Sequence, residues 1–309
     1  MNEPEKVNDS EAVTQPVDSA DWAEVAPPYS EAKRMISVFF GRPLPVIGLI
    51  FIMLLILIAI FAPLISPYDP YKMDILHKLQ QPSSEHLLGT DSLGRDTLSR
   101  IIYGTQTSLI IGLTVVTIST GIGLTLGLIA AYFGGAVYNI IMRFVDALMA
   151  FPMILLALLV ASLLGGGMKN IIIALSIGYI SAPCRMMCGV ALSIKQNEYI
   201  LAARTMGLSN IRIMLEQILP NAFAPLLVML TIGLGAVILA EAGLSFLGIG
   251  ITPPTPTWGG MVNDGYKYLL SNLALAIAPG MAIMMAVFGF NMMGDGLRDA
   301  LDPRLRGVV

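Results

Sequence analysis

The stretch that decides the fold is EYILAARTMGLSNIRIMLEQILPN, residues 198–221, a polar island between uncharged hydrophobic segments. Its Ala, Leu, Met, Arg and Glu residues favour helix. Gly207 is followed by Ser209 and Asn210, so one short helix is predicted to end at the glycine and a second to begin at a polar cap. Pro220 is predicted to end the second helix, because proline lacks an N–H. The pattern predicts two short helices suited to docking, and it fits an ordinary cytoplasmic loop equally well.

Around this island the composition is that of an integral membrane protein. Hydrophobic residues make up 55% and charged residues 13% of the 309 residues, whereas soluble domains carry about a quarter charged residues. The first 31 residues hold eight acids and one base, and the remainder holds thirteen acids and seventeen bases. The acidic, proline-containing residues 1–30 are therefore predicted to form a disordered tail. Residues 29–41 are predicted to form a short interfacial helix, and a plain juxtamembrane linker is the alternative.

Uncharged runs long enough to cross a bilayer predict an all-α membrane protein with about six transmembrane helices. Lys33, Arg34 and Arg42 precede the first span, so the positive-inside rule places the N-terminus in the cytoplasm, and an even number of spans returns the C-terminus there. The predicted spans are residues 43–68, 108–133, a third that begins near Arg143 and is kinked at Phe151-Pro152, 171–187, 222–240, and 268–294 with a break at Pro279-Gly280.

Two features of these spans are candidates for a translocation pathway or gate. Arg143 and Asp146 are three residues apart and share a helical face, so they form either a self-satisfied ion pair or a functional site at membrane depth. The nineteen methionines, Met229 and Met292 among them, offer a pliable lining for a pathway. Ordinary helix packing explains the methionines as well.

Enzymatic chemistry is not indicated. No GxxxxGK[ST] phosphate-binding pattern occurs, and the only histidines, His77 and His86, have no metal-site spacing around them. Cys184 and Cys188 are expected to be buried, inert thiols. We therefore predict a transport subunit with no metal, no cofactor of its own and no nucleic-acid partner.

Several motifs resemble one transport family. The run Ala202-Ala203, Gly207 and Leu219-Pro220 is similar to the EAA loop of binding-protein-dependent ABC import permeases, with Leu201 in place of the usual glutamate and Gln217 in place of a frequent isoleucine. The outer segment HLLGTDSLGRDTLSRIIYGTQTSL, residues 86–109, resembles the C-type subunit of the dipeptide, oligopeptide and nickel permeases. The strings EAGLSFLGIGITPPTPTWGG, 241–260, and GDGLRDALDPRLRG, 294–307, are similar to further segments of that family.

The resemblance implies the type I ABC importer permease fold and a mechanism of alternating access in the cell inner membrane. It implies as partners a homologous permease in a heterodimer, two ATP-binding cassette ATPases that bind ATP and Mg, an extracytoplasmic solute-binding protein, and membrane lipid. The coupling loop that docks on an ATPase would comprise Glu198, Leu201, Ala202, Ala203, Met206, Gly207, Leu208, Ile211 and Pro220. Docking of the solute-binding protein is expected at Asp91, Arg95, Asp96 and Trp258, the last also a predicted anchor at the outer membrane interface.

These inferences give a domain plan and a function. Residues 1–30 are a cytoplasmic tail, 31–104 the interfacial helix, first span and extracytoplasmic segment, 105–296 the ABC type-1 transmembrane domain, and 297–309 a cytoplasmic C-terminal tail. The expected function is that of an importer permease for dipeptides or oligopeptides. Import of a nickel chelate is the alternative within the family, and an ATP-independent secondary transporter is the alternative outside it.

Overall fold

The computed structural model describes residues 31–301, which form helices joined by turns and loops. The predicted disordered tail, residues 1–30, and the last residues, 302–309, lie outside the described part of the chain. The helices are α1 (Glu31–Phe40), α2 (Pro43–Ile65), α3 (Thr97–Phe133), α4 (Gly135–Met149), α5 (Met153–Leu164), α6 (Met168–Tyr179), α7 (Ser181–Lys195), α8 (Glu198–Thr205), α9 (Asn210–Arg212), α10 (Leu219–Asn221), α11 (Phe223–Phe246), α12 (Trp258–Tyr266) and α13 (Ala274–Leu301), with a 3₁₀ turn at Ile75–His77 and a π-helical segment at Ile213–Ile218.

The predicted number of spans agrees with the described helices. Five are long and apolar enough to cross a membrane, namely α2, α3, the continuous pair α6–α7, α11 and α13. The sixth candidate is the pair α4 and α5, whose axes differ by 87°. The predicted kink at Phe151-Pro152 is thus a sharp break, because Pro152 has an extended backbone and starts a new helix.

The centre of the bundle is α3, which packs against α7 along a face of small residues. A methyl group added at Gly123 would lie 2.8 Å from the carbonyl oxygen of Ile180 and 2.9 Å from the amide nitrogen of Cys184. Gly127 approaches the backbone of Cys184 and Cys188 even more closely. Gly121 faces open space, so the close contact belongs to Gly123 and Gly127, four residues apart on one side of the helix.

The ends of the last two spans differ from the predicted ends. Pro279 lies buried inside α13 and does not break it, because a membrane-spanning helix tolerates a proline where its neighbours in the bundle satisfy the freed backbone groups. The same helix continues to Leu301, so the predicted C-terminal tail begins as helix. The helix α11 runs to Phe246, six residues beyond the predicted end at residue 240, and it includes Glu241, which is 1% exposed.

The short helix α1 confirms the helix predicted before the first span. It packs against α13, where the side chains of Phe39 and Pro45 fill the space beside Gly296. Arg42, between α1 and α2, forms an ion pair with Asp299 near the end of α13. The first and last described helices are therefore joined at one end of the bundle.

Candidate coupling surface and translocation cavity

The polar island has the helix–turn–helix form that its sequence predicts. The first helix, α8, starts at Glu198 and ends before Gly207, whose φ of +78° is a conformation that glycine adopts without strain. The Gly207 amide donates to the Arg204 carbonyl at 3.0 Å, and the Leu208 amide donates to the Ala203 carbonyl at 3.1 Å, the two bonds of a Schellman end. Ser209 then caps α9 by accepting from the Arg212 amide at 3.4 Å. We call residues 198–221 the coupling loop.

The second helix ends at Asn221, one residue after Pro220, and a turn at Ala222 precedes α11. Pro220 itself is accommodated within α10. The reason is the π-helical segment before it, in which the Leu219 amide bonds to the Met214 carbonyl, five residues back. This wider turn relieves the clash that a proline ring makes with the carbonyl four residues earlier in an α-helix.

Buried contacts hold the coupling loop on the bundle. Ile200, Ala203 and Ile213 are buried in a cluster that includes the ends of α3 and α7. The Tyr132 hydroxyl at the end of α3 donates to the Asn210 side-chain oxygen at 2.7 Å, and the Arg204 guanidinium lies 5.2 Å from the centre of the Tyr132 ring. These contacts make the position of the loop depend on the positions of α3 and α7.

Lys195, at the junction of α7 and the loop, caps the C-terminus of α3. Its ammonium group donates to the carbonyl oxygens of Ala131 and Tyr132 at 3.0 and 2.7 Å. These carbonyls have no partner within their own helix, and a cation at a helix C-terminus is favourable. The ends of α3 and α7 are thereby joined directly beneath the loop.

The outer side of the coupling loop is an exposed apolar ridge. Leu201, Met206 and Ile211 are 65%, 73% and 65% exposed. Of the residues predicted to dock, Glu198, Ala202, Gly207 and Pro220 are also exposed. The exceptions are Ala203, which is 4% exposed, and Leu208, which packs against the core cluster, so these two support the ridge from within.

The predicted pairing of Arg143 with Asp146 is wrong. Asp146 forms its ion pair with Arg185 of α7, across the interface between α4 and α7. All three residues line a recess of about 450 Å³ together with Tyr138, Asn139, Met142, Cys188, Gly189 and Leu192. In the described part of the chain, Arg143 has no carboxylate within 4.0 Å. We call this space the polar recess.

A second cavity lies on an adjoining face of α7. It has a volume of about 610 Å³ and is lined by Tyr179, Met186, Asn221, Ala224, Pro225, Val228, Met229, Ile232, Arg298 and Leu301. Met229 is thus in a cavity, as the pathway hypothesis requires. Met292 is in a different position, since its Cβ packs against Gly48 of the first span. Its place in the structure is that of a helix-packing residue.

The outer segment between α2 and α3 is held by buried charges. Arg95 Nε donates to Asp91 at 2.7 Å, and Arg100 approaches the same carboxylate at 3.5 Å. Asp96 accepts from the Ser99 amide at 2.8 Å and caps α3, and His86 lies 2.9 Å from its other oxygen. Asp91, Arg95 and Asp96 are each at most 9% exposed. They therefore stabilise the outer segment from within and leave little surface for a docked protein.

Trp258 is not an interfacial anchor. It is fully buried, its indole N–H donates to the Ile101 carbonyl at 3.1 Å, and its ring occupies the space left by Gly104 of α3. The side chain therefore fastens α12 to α3. It leaves no exposed atom for a docked protein.

Two parts of the chain match known protein families. Residues 123–307 match the family described as the binding-protein-dependent transport system inner membrane component. Residues 30–82 match the N-terminal transmembrane domain of oligopeptide transport permease C. The chain is a member of the binding-protein-dependent permease family. The matched residues include the coupling loop, the polar recess and the three spans that line the second cavity.

Individual members of this permease family are similar over most of the chain. A dipeptide transport system permease protein of Alkalihalophilus pseudofirmus is 42% identical over 279 residues, covering 90% of this chain and 91% of the relative. A glutathione transport system permease protein of Pectobacterium atrosepticum is 43% identical over 269 residues, covering 87% and 89%. A di/tripeptide transport system permease protein of Pseudomonas aeruginosa is 40% identical, covering 85% and 88%.

The fold is also that of a solved permease. The methionine ABC transporter MetNI, in an inward-facing conformation, superimposes with a TM-score of 0.55 at 20% identity. The match covers 66% of this chain and 97% of that chain. This likeness establishes the fold of the transmembrane region as that of an ABC importer permease.

Sequence reasoning missed three residues of the permease site. Arg185 was not among the predicted pathway residues, although it pairs with Asp146, 39 residues earlier. The roles of Tyr132, which binds Asn210 of the coupling loop, and of Lys195, which joins α7 to the end of α3, were not predicted. The available signal for Lys195 was its position as a base between the predicted fourth span and the loop.

Proposed function

We propose that this chain is one of two permease subunits of an ATP-driven importer, and that its cargo is a small peptide. The observation that carries the proposal is the similarity of about nine-tenths of the chain to a dipeptide permease, at 42% identity. Two structural features also support the proposal: the exposed apolar ridge of the coupling loop offers a surface for an ATPase, and the two cavities offer space for a cargo.

The coupling loop is proposed to dock on a separate ATPase subunit. A ridge of Leu201, Met206 and Ile211 exposed in the free chain would be covered by an apolar groove of the partner. The buried contacts of Ile200, Ala203 and Tyr132 would carry a displacement of the docked loop into α3 and α7. ATP and Mg would be bound by the partner, in agreement with the absence of a phosphate-binding pattern from this sequence.

The cargo pathway is proposed to run beside α7, which separates the two cavities. Arg185 lines the polar recess and the adjacent Met186 lines the apolar cavity with Met229. Consecutive residues of a helix point about 100° apart, so both cavities lie on neighbouring faces of one helix. A homologous permease facing this side would close them into a pathway.

The outer surface is proposed to receive a solute-binding protein through exposed apolar residues. Ile75, Leu76 and Leu270 are 68%, 91% and 106% exposed. A hydrogen bond from the Asn272 side-chain amide to the Gln80 carbonyl, at 3.0 Å, joins the two segments that carry these residues. The buried ion pairs of Asp91 and Arg95 would fix the shape of this surface from beneath, and both chain termini would lie on the opposite, cytoplasmic side.

The cargo is proposed to be a di- or tripeptide. The names of the relatives include dipeptide, di/tripeptide and glutathione, and glutathione is itself a small peptide with free carboxylates. The common chemical class is therefore a short peptide with a charged carboxyl end.

The test is purification of the tagged chain from its native membrane, followed by mass spectrometry and reconstitution in lipid vesicles. A second permease, ATPase subunits and a solute-binding protein should co-purify, and the vesicles should take up a radiolabelled dipeptide only with ATP and the binding protein. Uptake by the isolated chain without ATP would overturn the proposal. Loss of ATPase binding in Met206→Asp, with normal membrane insertion, would assign the docking to the ridge.

A further inference from the structure

The polar recess has the geometry of a carboxylate-binding site. On α4, Asn139, Arg143 and Asp146 fall within roughly 60° of helix circumference at 3.6 residues per turn, and all three line the recess. The exposed apolar residues Val137 and Ile140 occupy another stripe of the same helix. Because polar and apolar side chains are separated in this way, the polar stripe is not the lipid-facing side.

The recess lies along a membrane-spanning helix, toward the end that carries the coupling loop. Arg185 comes ten residues before Lys195, the last residue of the 28-residue pair α6–α7, and a helix rises about 1.5 Å per residue, which places Arg185 about 15 Å from that end. The pair is about 42 Å long and exceeds the hydrocarbon thickness of about 30 Å, so Arg185 lies between the membrane interior and this boundary. Ionisable side chains on a membrane-spanning helix face a protein interior or water and commonly mark the path of a charged solute.

The charge of the recess is positive. Its described lining holds two guanidinium groups, Arg143 and Arg185, and one carboxylate, Asp146. Asp146 is paired with Arg185, so the charge of Arg143 is left for another group. A guanidinium binds a carboxylate through two parallel N–H donors, and a volume of about 450 Å³ is within the range of small-molecule sites, roughly 300–1,000 Å³.

We propose that the polar recess binds the carboxylate of a peptide in transit, with Arg143 as the anchor and the Arg185–Asp146 pair as its neutral wall. This inference rests on the proposed function, since it names the part of the cargo that the pathway recognises. Ile200 and Ala203 of the coupling loop are buried against the end of α7, so the recess lies on a helix that a docked ATPase would move.

The experiment places a photo-crosslinking amino acid at Leu192, a lining residue of the recess, in the complete purified complex. The complex is soaked with radiolabelled alanyl-alanine or with its C-terminal amide, without the binding protein, so that the specificity of the binding protein does not enter. The free acid should label this chain and the amide should label it weakly. Arg143→Gln should reduce labelling by the acid about tenfold, since hydrogen bonds to a charged group contribute about 1.5 kcal/mol or more.

Lys169→Gln is the matched control, because Lys169 is an exposed base that is not among the recess residues. Its labelling should equal that of the parent. Equal labelling by acid and amide, or labelling by the acid that Arg143→Gln leaves unchanged, would overturn the inference. So would an adduct with the second permease alone, which would make the recess a subunit interface.

Vesicle uptake separates failure of this inference from failure of the proposed function. If the parent complex with its binding protein and ATP takes up no peptide, the proposed function fails and the inference fails with it. If it takes up alanyl-alanine and no peptide adduct forms at Leu192, only the inference fails. Uptake together with an Arg143-dependent adduct supports both.

Discussion

Replacing Gly127 by alanine tests the close approach of α3 and α7. The added Cβ would lie 3.0 Å from the amide nitrogen of Cys188 and 3.1 Å from the Met187 Cβ, and it would overlap the carbonyl oxygen of Cys184. Two of these three neighbours are backbone atoms, so no side-chain rotation relieves the overlap. The helices have to separate.

The magnitude follows from a comparison with Gly121→Ala on the same helix. At Gly121 the added methyl group meets nothing within 4 Å. Both substitutions gain about 0.5–1 kcal/mol because alanine favours helix more than glycine does, so this gain cancels between the two variants. Overpacking typically costs about 1–3 kcal/mol, and Gly127→Ala should be less stable than Gly121→Ala by that amount.

The assay is reversible unfolding of the purified chain in mixed micelles, monitored by helical circular dichroism. The free energy of unfolding should be lower for Gly127→Ala than for Gly121→Ala, and Gly121→Ala should match or exceed the parent. A second measurement, ATPase activity of the complete complex, should fall only in Gly127→Ala, since the coupling loop is anchored on the ends of these helices. Equal stability of the two variants would refute the tight α3–α7 interface.

Three further predictions concern the loop, the recess and the outer segment. Gly207→Ala should insert normally and lower ATP-driven uptake, because a side chain at φ +78° is strained by about 1–2 kcal/mol, and Gly207→Asn should retain more uptake. Arg185→Ala should lower thermal stability more than Asp146→Ala/Arg185→Ala does, because the single variant leaves the Asp146 carboxylate without its partner; equal losses would exclude the pair. The hydrogen bond to Asp74 raises the pKa of His77, so the stability that His77 adds is present below about pH 6.5 and is lost as the pH rises through the folded-state pKa. The melting-temperature difference between the parent and His77→Gln should therefore be larger at low pH than at high pH, and a difference independent of pH would count against the pairing.

Features that depend on a few neighbouring residues were predictable from the sequence. The start of α8 at Glu198, the turn at Gly207 and the cap at Ser209 follow from local preferences that the tertiary structure leaves intact. The number of spans follows from the length of the uncharged runs. The family resemblance was carried by motifs spread from the outer segment to the last span.

Features that depend on distant residues were not predictable by the same reasoning. The spacing of Arg143 and Asp146 suggests a pair on one helix, but the axis break near Pro152 and the packing of α4 on α7 bring Arg185 to Asp146 instead. The burial of Trp258 depends on Gly104, 154 positions earlier, whose missing side chain makes room for the indole ring. The rule that a tryptophan near a membrane boundary is an anchor uses only its position in the sequence. It therefore does not include the room that Gly104 leaves for the Trp258 ring.

The contacts of the coupling loop divide its residues into two mechanical groups. Ile200 and Ala203 are buried against the ends of α3 and α7, so their replacement by polar residues would detach the loop from the bundle. Leu201 and Met206 are exposed, so their replacement would leave the loop in place and weaken its contact with a docked partner. The Lys195 bonds to the end of α3 connect the first group to α7 and hence to Arg185. A force applied to the ridge therefore reaches the polar recess through α7. Replacements in the exposed group test docking of the partner, and replacements in the buried group test transmission of its movement to the bundle.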